Sequence, residues 1–261
     1  MTENNNMQWA DAAIILSCRK YGESSAVVRV LAREHGISGG VVRGANSKNN
    51  RGIIQSGNVV SANWQARLAN QLGNFKIELL EAHAAHIMQD EAKLAALTSA
   101  CAILETALPE RHPYPKIFAA LHELLHSLTA ISPIHDWRHD YIKFELSLLA
   151  ESGYGLDLSE CAATGVTHDL IYVSPKSGRA VCREAGEPYK DKMLPLPEFL
   201  LDNTHDQQPM THDHLKEILA GMELTGYFLE NSLLAPHGQK MPVARLRLQN
   251  ILKELNATET I

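Results

Sequence analysis

Cysteine is scarce in this chain: Cys18, Cys101, Cys161 and Cys182 are the only four in 261 residues, and they are scattered. With no export signal they read as reduced thiols rather than a disulfide framework, so stability has to come from packing. No stretch approaches the roughly 18 unbroken apolar residues that a membrane helix needs. The opening MTENNNMQWADAA lacks the basic and apolar regions of a secretory leader. The expectation is a cytoplasmic protein without membrane association. Nucleotide-binding signatures are missing too: there is no GxxxxGK[ST], and Gly36, Gly39 and Gly40 do not match GxGxxG. No GxSxG elbow occurs, and no Cys or Ser has a flank suggestive of a nucleophile. Internal repeats and low-complexity tracts are likewise lacking.

What is present has an ordinary globular balance, 45% hydrophobic and 21% charged, in a chain long enough for two modest domains. The net charge of −6 hides a split. Residues 1–82 contain nine Lys or Arg against six Asp or Glu, a net of +3; the remainder has fifteen against twenty-four, a net of −9. Within the basic third, Arg19, Lys20, Arg29, Arg33, Arg43, Lys48 and Arg51 face only Glu23 and Glu34. Such asymmetry marks a polyanion-binding module, and these seven cations are its candidate phosphate contacts.

The first 82 residues read as strands, because short β-branched and apolar runs are broken by turn residues at hairpin spacing. The runs are Ala12–Ser17, Ala26–Ala32, Gly39–Arg43, Val59–Arg67 and Phe75–Leu80, separated by turn signals at Tyr21-Gly22-Glu23, His35-Gly36, Gly57-Asn58 and Gly73-Asn74. Five such strands suit a small barrel of the OB type, a fold that commonly binds single strands along a basic groove. The polar stretch Ala45–Asn50 reads as a loop.

After Ala82 the period changes to that of helices. Leu94, Leu97, Cys101, Leu104 and Leu108 form one face, closed by Pro109; a second helix runs from about Pro115 to Thr129. A third opens at Ser132-Pro133 with Ile134, Trp137, Tyr141, Phe144 and Leu148 as its face, and ends at Gly153 and Gly155. A helix-poor insert covers 156–197. Thr211 is placed to cap a long helix through Leu234 that buries Leu215, Ile218, Met222, Leu229 and Leu233, and a last helix spans Val243 to Leu255. The fold class is therefore α+β: an N-terminal OB-fold barrel over 1–82, then an all-helical domain over 83–261 carrying the insert.

Two strings carry metal chemistry on paper. His122-Glu123-Leu124-Leu125-His126 is an HExxH, in which histidines at i and i+4 share a helix face and bind zinc while the glutamate activates water. Thr129 excludes the longer metzincin form, and a third ligand would have to be Glu145 or Glu151. The competing reading makes Leu121, Leu124, Leu125 and Leu128 the core stripe with the histidines at its margin, and it is the one expected. The insert holds Cys161-Ala-Ala-Thr164 and Cys182-Arg-Glu-Ala185, two CxxC outlines each lacking a second cysteine, with only His168 near enough to join them. Two thiolates do not make a closed tetrahedral site, so the expectation is a metal-free knuckle resting on residues such as Leu170, Ile171, Tyr172 and Val181. The pairs His83/His86, His135/His139 and His212/His214 read as surface residues. No metal, cofactor or catalytic residue is expected at any of these places.

The opening AIILSCRKYGESSAVVRVLAREHGISGGVVRGANS, the insert LDLSECAATG with YVSPKSGRAVCREAGEPY, and the late LLAPHGQKMPVARLRL together resemble the RecO family of bacterial recombination and repair proteins nearly end to end. The resemblance implies an N-terminal OB-fold, a helical domain with a zinc-knuckle insert, and no enzymatic active site. It implies a mediator that binds single- and double-stranded DNA, anneals strands, associates with RecR, and contacts single-stranded DNA-binding protein so that RecA loads on coated gaps. Thr164 and Ala185 depart from the four-cysteine members. For the acidic tail of single-stranded DNA-binding protein, Arg245, Arg247 and Lys253 are the candidate contacts. Two other readings stand beside this one: a zinc-dependent hydrolase built on the HExxH string, and a non-catalytic protein adaptor.

Overall fold

The computed structural model describes residues 7–68, 71–130, 136–201 and 212–258. The chain divides into two compact units, Met1–Thr129 and Ala130–Ile261.

In the first unit, β1 (Met7–Tyr21), β2 (Ser25–Ala32), β3 (Gly36–Val42), β4 (Val59–Ala66) and β5 (Gly73–Glu81) close into a barrel in the order β1-β2-β3-β5-β4. This is the five-stranded OB arrangement expected from the turn spacing. Alternation along each strand fills the interior: Ala26, Val28, Val30 and Ala32 from β2 meet Val60, Ala62, Trp64 and Ala66 from β4. Closure follows in the register. Lys20 pairs with Ala26, Ala26 with Val42, Val42 with Phe75, Phe75 with Trp64, and Trp64 with Trp9, so the circuit leaves β1 near one end and returns to it near the other. A barrel requires that stagger, and the length of β1, with an irregularity between Ile15 and Ser17, provides it.

The Ala45–Asn50 stretch is not wholly loop. Ser47 caps a short helix, α1 (Lys48–Ile53), by accepting from the Asn50 amide at 3.2 Å. Asn50 in turn donates to the Gly44 carbonyl at 3.1 Å, so polar residues that read as loop formers here satisfy one another. After the barrel come α2 (Ala84–Ile87), α3 (Glu91–Ala107) and α4 (Pro115–Thr129). Asp90 caps α3 with bonds of 2.9 and 3.0 Å from Ala92 and Lys93. On α3, Leu97, Cys101 and Leu104 are buried, whereas Leu94, expected on the same face, is exposed. Both longer helices belong to the barrel's compact unit, which extends beyond the residue-82 end of the strands.

The second unit contains α5 (Trp137–Glu151), a three-stranded sheet of β6 (Leu170–Val173), β7 (Ala180–Cys182) and β8 (Leu194–Pro195) in the order β7-β6-β8, the short α6 (Arg183–Gly186), α7 (His212–Phe228) and α8 (Val243–Thr258). The expected cap at Ser132-Pro133, with Ile134, lies outside the described residues, as does Thr211. The N-cap of α5 is Asp136, which accepts from the Arg138 amide at 3.0 Å. Gly153 ends that helix at φ +87°, where a side chain would be strained. The last turns of the long helix, Leu229–Leu234, widen to π geometry, and Leu215, Ile218, Met222, Leu229 and Leu233 are buried as expected. At the centre lies an ion pair: Arg245 of α8 binds Glu145 of α5 at 2.6 and 3.1 Å, and both side chains are out of solvent.

Candidate nucleic-acid interface

Residues that alternate with the barrel's interior set point outward, and on one side they form a polar face. Gln8 pairs with Gln65, Gln65 with Asn74, and Asn74 with Val41, a row crossing β1, β4, β5 and β3; beside it Ala10, Asn63 and Lys76 make a second row. Two adjoining hollows of about 660 and 500 Å³ follow this face and share Gln65, Asn74 and Lys76. Trp9 and Trp64 line the first; Arg43, Phe75 and Ile77 line the second. Trp9 is half-buried, stacked on His35 at 4.6 Å and near-parallel to Trp64 at 5.9 Å. The groove therefore offers amide donors and acceptors, two cations and an aromatic end, the components that track a nucleic-acid backbone and stack its bases.

The seven candidate cations separate into two sets. Arg19 and Lys20 lie at the hairpin end of β1; Arg43, Lys48 and Arg51 lie in and beside the β3–β4 connection. Bonds from Ala45 N to Ser24 O at 2.7 Å and from Asn46 Nδ2 to Glu23 O at 2.6 Å tie that connection to the hairpin tip, so these five exposed cations share one end of the barrel. Arg29 and Arg33 point elsewhere. Arg29 reaches Glu105 at 3.2 Å and Glu110 at 2.8 Å, and the Arg33 guanidinium lies 5.0 Å from the centre of the Phe118 ring. Both contacts are with the α3–α4 region, where β2's outward face is covered. Lys76 was missed by counting charge in the window from Arg19 to Arg51; the signal that would have found it is the outward parity of Asn74 and Lys76 on β5.

A second cluster lies in the same unit. Glu81 ends β5, His83 precedes α2, and His122 and His126 stand one turn apart on α4. Nε2 of His83 and of His122 each lie 3.0 Å from Glu81 Oε2, and Nε2 of His126 lies 3.5 Å from it. One ligand atom from each of the four residues falls within 4.8 Å of every other. Burial works to raise the Glu81 carboxyl, but the His122 and His83 hydrogen bonds and charges outweigh it and hold it below the usual range. His83 is pulled down by burial against the opposing effect of Glu81. The shortage of partners expected for the HExxH histidines is thus corrected: the side chains that come within reach of them are not Glu145 or Glu151 but Glu81 and His83. Leu121, Leu124, Leu125 and Leu128 do form the buried stripe, with His122 and His126 at its margin.

Family models match the chain as Recombination protein O N terminal over residues 7–83 and Recombination protein O C terminal over residues 88–241. The chain belongs to the RecO family. Among its relatives, the DNA repair protein RecO of Rhodospirillum centenum is 42% identical, covering 98% of both chains. Those of Rhodospirillum rubrum and Jannaschia sp. are each 40% identical, covering 97% and 95% of this chain and 99% and 97% of their own. The relatives are named as DNA repair proteins, and no described helix here is long and apolar enough to cross a membrane.

The RecO-type knuckle can be tested against its residues. Cys161 and Cys182 are buried beside one another: the Cys182 amide donates to Cys161 Sγ at 3.2 Å, and Thr164 Oγ1 lies 3.6 Å from Cys182 Sγ. Burial raises the Cys161 thiol, but donors from Cys182, Thr164 and Ala163 outweigh it and bring the thiol down to about 6. At position 164 a threonine hydroxyl, not a thiolate, faces Cys182 Sγ, and at position 185 a methyl group stands where the other thiolate would be. His168 is exposed, and among the described residues no third Cys, His, Asp or Glu joins the two cysteines, so the set does not fit a closed tetrahedral zinc. Leu170 and Val181 are buried under the knuckle, whereas Ile171 and Tyr172 are half-buried.

Several other sequence readings change. His83 and His139 are buried rather than at the surface, and His214 binds Asp136 Oδ2 at 2.8 Å; His135 and the His212 side chain lie outside the described residues. Arg245, a candidate tail contact, is only 1% exposed and committed to Glu145 and the Met222 carbonyl. Lys253 is exposed on α8.

Proposed function

We propose that this protein is a non-catalytic recombination mediator of gap repair in the cytoplasm. It binds single- and double-stranded DNA, anneals complementary strands, associates with RecR, and contacts single-stranded DNA-binding protein so that RecA loads on coated strands. Membership of the RecO family supports this reading. The observation that carries it is the groove across β1, β4, β5 and β3, where Gln8, Gln65 and Asn74 stand in one row beside Lys76 and Arg43. The cation set that contacts phosphate is Arg19, Lys20, Arg43, Lys48, Arg51 and Lys76, with Arg29 and Arg33 holding the helices instead. With Arg245 withdrawn from solvent, Arg247 and Lys253 are left as the proposed cations for an acidic tail.

Titration of the full chain with fluorescent single-stranded DNA at several salt concentrations tests the proposal. Six neutralised phosphates give a slope of log K against log salt of about −4. Replacing Arg43, Lys48 and Lys76 together by Ala reduces it to about −2, while replacing Arg29 and Arg33 leaves it unchanged. An unaltered slope in the triple variant moves the DNA site off this groove.

A further inference from the structure

The cluster at the end of β5 has no part in the proposed DNA contact, and its geometry is that of a ligand set. We propose that Glu81, His83, His122 and His126 form a binding site for one divalent first-row transition ion, zinc being the fitting member, that fastens α4 to the exit of the barrel.

Four observations carry the inference. The donor set is three imidazoles and one carboxylate, which suits zinc and its neighbours rather than magnesium or calcium. The spacing is close to that of a filled site: bonds of 2.0–2.2 Å in a tetrahedron put neighbouring ligand atoms roughly 3.4 Å apart. The Glu81 to histidine separations are 3.0, 3.0 and 3.5 Å, and the widest pair in the cluster, within 4.8 Å, needs only a small inward movement. The three imidazoles also converge on one carboxylate, with His122 Nε2 at 3.0 Å from both of its oxygens, which is the arrangement of ligands gathered around a common centre.

Finally, the backbone holds every ligand. Glu81 pairs with Val59 in the barrel, and the His83 amide donates to the buried Asn58 side chain at 3.1 Å. His122 and His126 are fixed by the helical repeat of α4, with the Phe118 ring stacked on His122 at 6.2 Å. His83 is buried while His126 is 58% exposed, so the site is anchored on one side and open to entering metal on the other. Four protein ligands complete a tetrahedral shell and leave no position for an attacking water, which makes this a structural site rather than a peptidase centre despite its HExxH string.

The experiment is zinc binding to the full chain after chelator treatment, followed by competition with a chromophoric chelator and by melting temperature as a function of free zinc. The wild type is expected to bind one equivalent and to melt at a temperature that rises with zinc concentration. The exposed ligand gives a variant that should fold normally: His126→Ala is expected to bind at least roughly a hundredfold more weakly, since loss of even an outer partner costs 10–100-fold. The adjacent exposed His86→Ala and the double variant Cys161→Ser/Cys182→Ser are expected to retain wild-type affinity. Far-UV circular dichroism without metal checks that His126→Ala and a second variant, His122→Gln, are folded. The proposal is overturned if the wild type takes up no zinc, if His126→Ala and His122→Gln bind like the wild type, or if the cysteine variant alone abolishes uptake and so places the metal in the knuckle.

Discussion

Removing one partner of the Glu145–Arg245 pair puts the packing of the second unit to a quantitative test. Arg245→Met keeps the volume and the aliphatic stem but leaves a carboxylate with no solvent exposure and one remaining partner, the Thr225 hydroxyl. Breaking a buried pair from one side costs about 3–5 kcal/mol, because the stranded charge has neither water nor counter-ion. The Met222 carbonyl loses its donor as well, which adds about 1 kcal/mol. Removing both charges, with Glu145→Leu beside Arg245→Met, should recover most of this, leaving a deficit of about 1 kcal/mol for the lost bond to the Met222 carbonyl, since the Thr225 hydroxyl keeps the Gly221 carbonyl at 3.0 Å. Urea unfolding followed by circular dichroism measures the difference. At a slope of about 2 kcal/mol per molar, the single variant loses about 2–3 M in midpoint for the transition that contains α5, α7 and α8, and the double variant less than 1 M. If the double variant were no more stable than either single, the pair would be contributing net stabilisation of its own, and the reasoning from stranded charge would fail.

Asp136 supplies a pH signature in the same unit. Burial works to raise its carboxyl, but the His214 hydrogen bond, the Arg138 charge and the Arg138 amide outweigh that and bring it down to about 2. A carboxyl lowered in the folded state contributes stability above its unfolded value that disappears as pH falls through the folded one. The loss should amount to roughly 2 kcal/mol between about pH 5 and pH 2, and Asp136→Asn should remove that component from thermal melts recorded across the range. A variant whose pH dependence matched the wild type would show that this contact stabilises nothing. In the barrel, Gly36 (φ +63°) and Gly22 (φ +66°) make a matched pair. A Cβ on Gly36 would sit 1.8 Å from the His112 carbonyl oxygen, while one on Gly22 meets nothing within 4 Å. Gly22→Ala should cost only about 1–2 kcal/mol of backbone strain and Gly36→Ala considerably more, read from the loss in melting temperature; equal losses would refute the steric account.

Local order was legible and convergence was not. The five apolar runs became β1–β5, with β1 longer at both ends than its run, and α3 and α4 were placed almost to the residue while α8 runs three residues past its expected end, because burial of one face imposes those periods whatever the partner. α1 escaped notice since Lys48, Asn50 and Arg51 carry no apolar stripe; what forms it is the Ser47 cap and the Asn50 side chain, both local polar bonds. The proposed DNA-contact set was read only by sign of charge. That criterion cannot separate Arg29, spent on Glu105 and Glu110, from Arg43, which lines the groove. The cluster around Glu81 joins residues about forty positions apart, and the Glu145–Arg245 pair spans one hundred. Such meetings are products of tertiary folding and leave no mark at either end of the sequence.

The barrel's seam deserves a mechanical reading. β3 and β5 run parallel for only three residue pairs, Gly40 with Gly73, Val41 with Asn74 and Val42 with Phe75, whereas every other neighbouring pair of strands is antiparallel and longer. Glycine is needed there: a Cβ on Gly73 would lie 2.1 Å from Trp64 Nε1, and one on Gly40 2.6 Å from the Phe75 ring. The closure is therefore a short zip with few teeth, and the fluctuation that opens this cylinder at least cost splits it between Val41 and Asn74. The groove lies over that line, with Arg43 on one bank and Lys76 on the other. A DNA strand bound to both banks would act as a strap across the split, so that the ligand's grip on the protein and the protein's hold on its own shape become the same free energy.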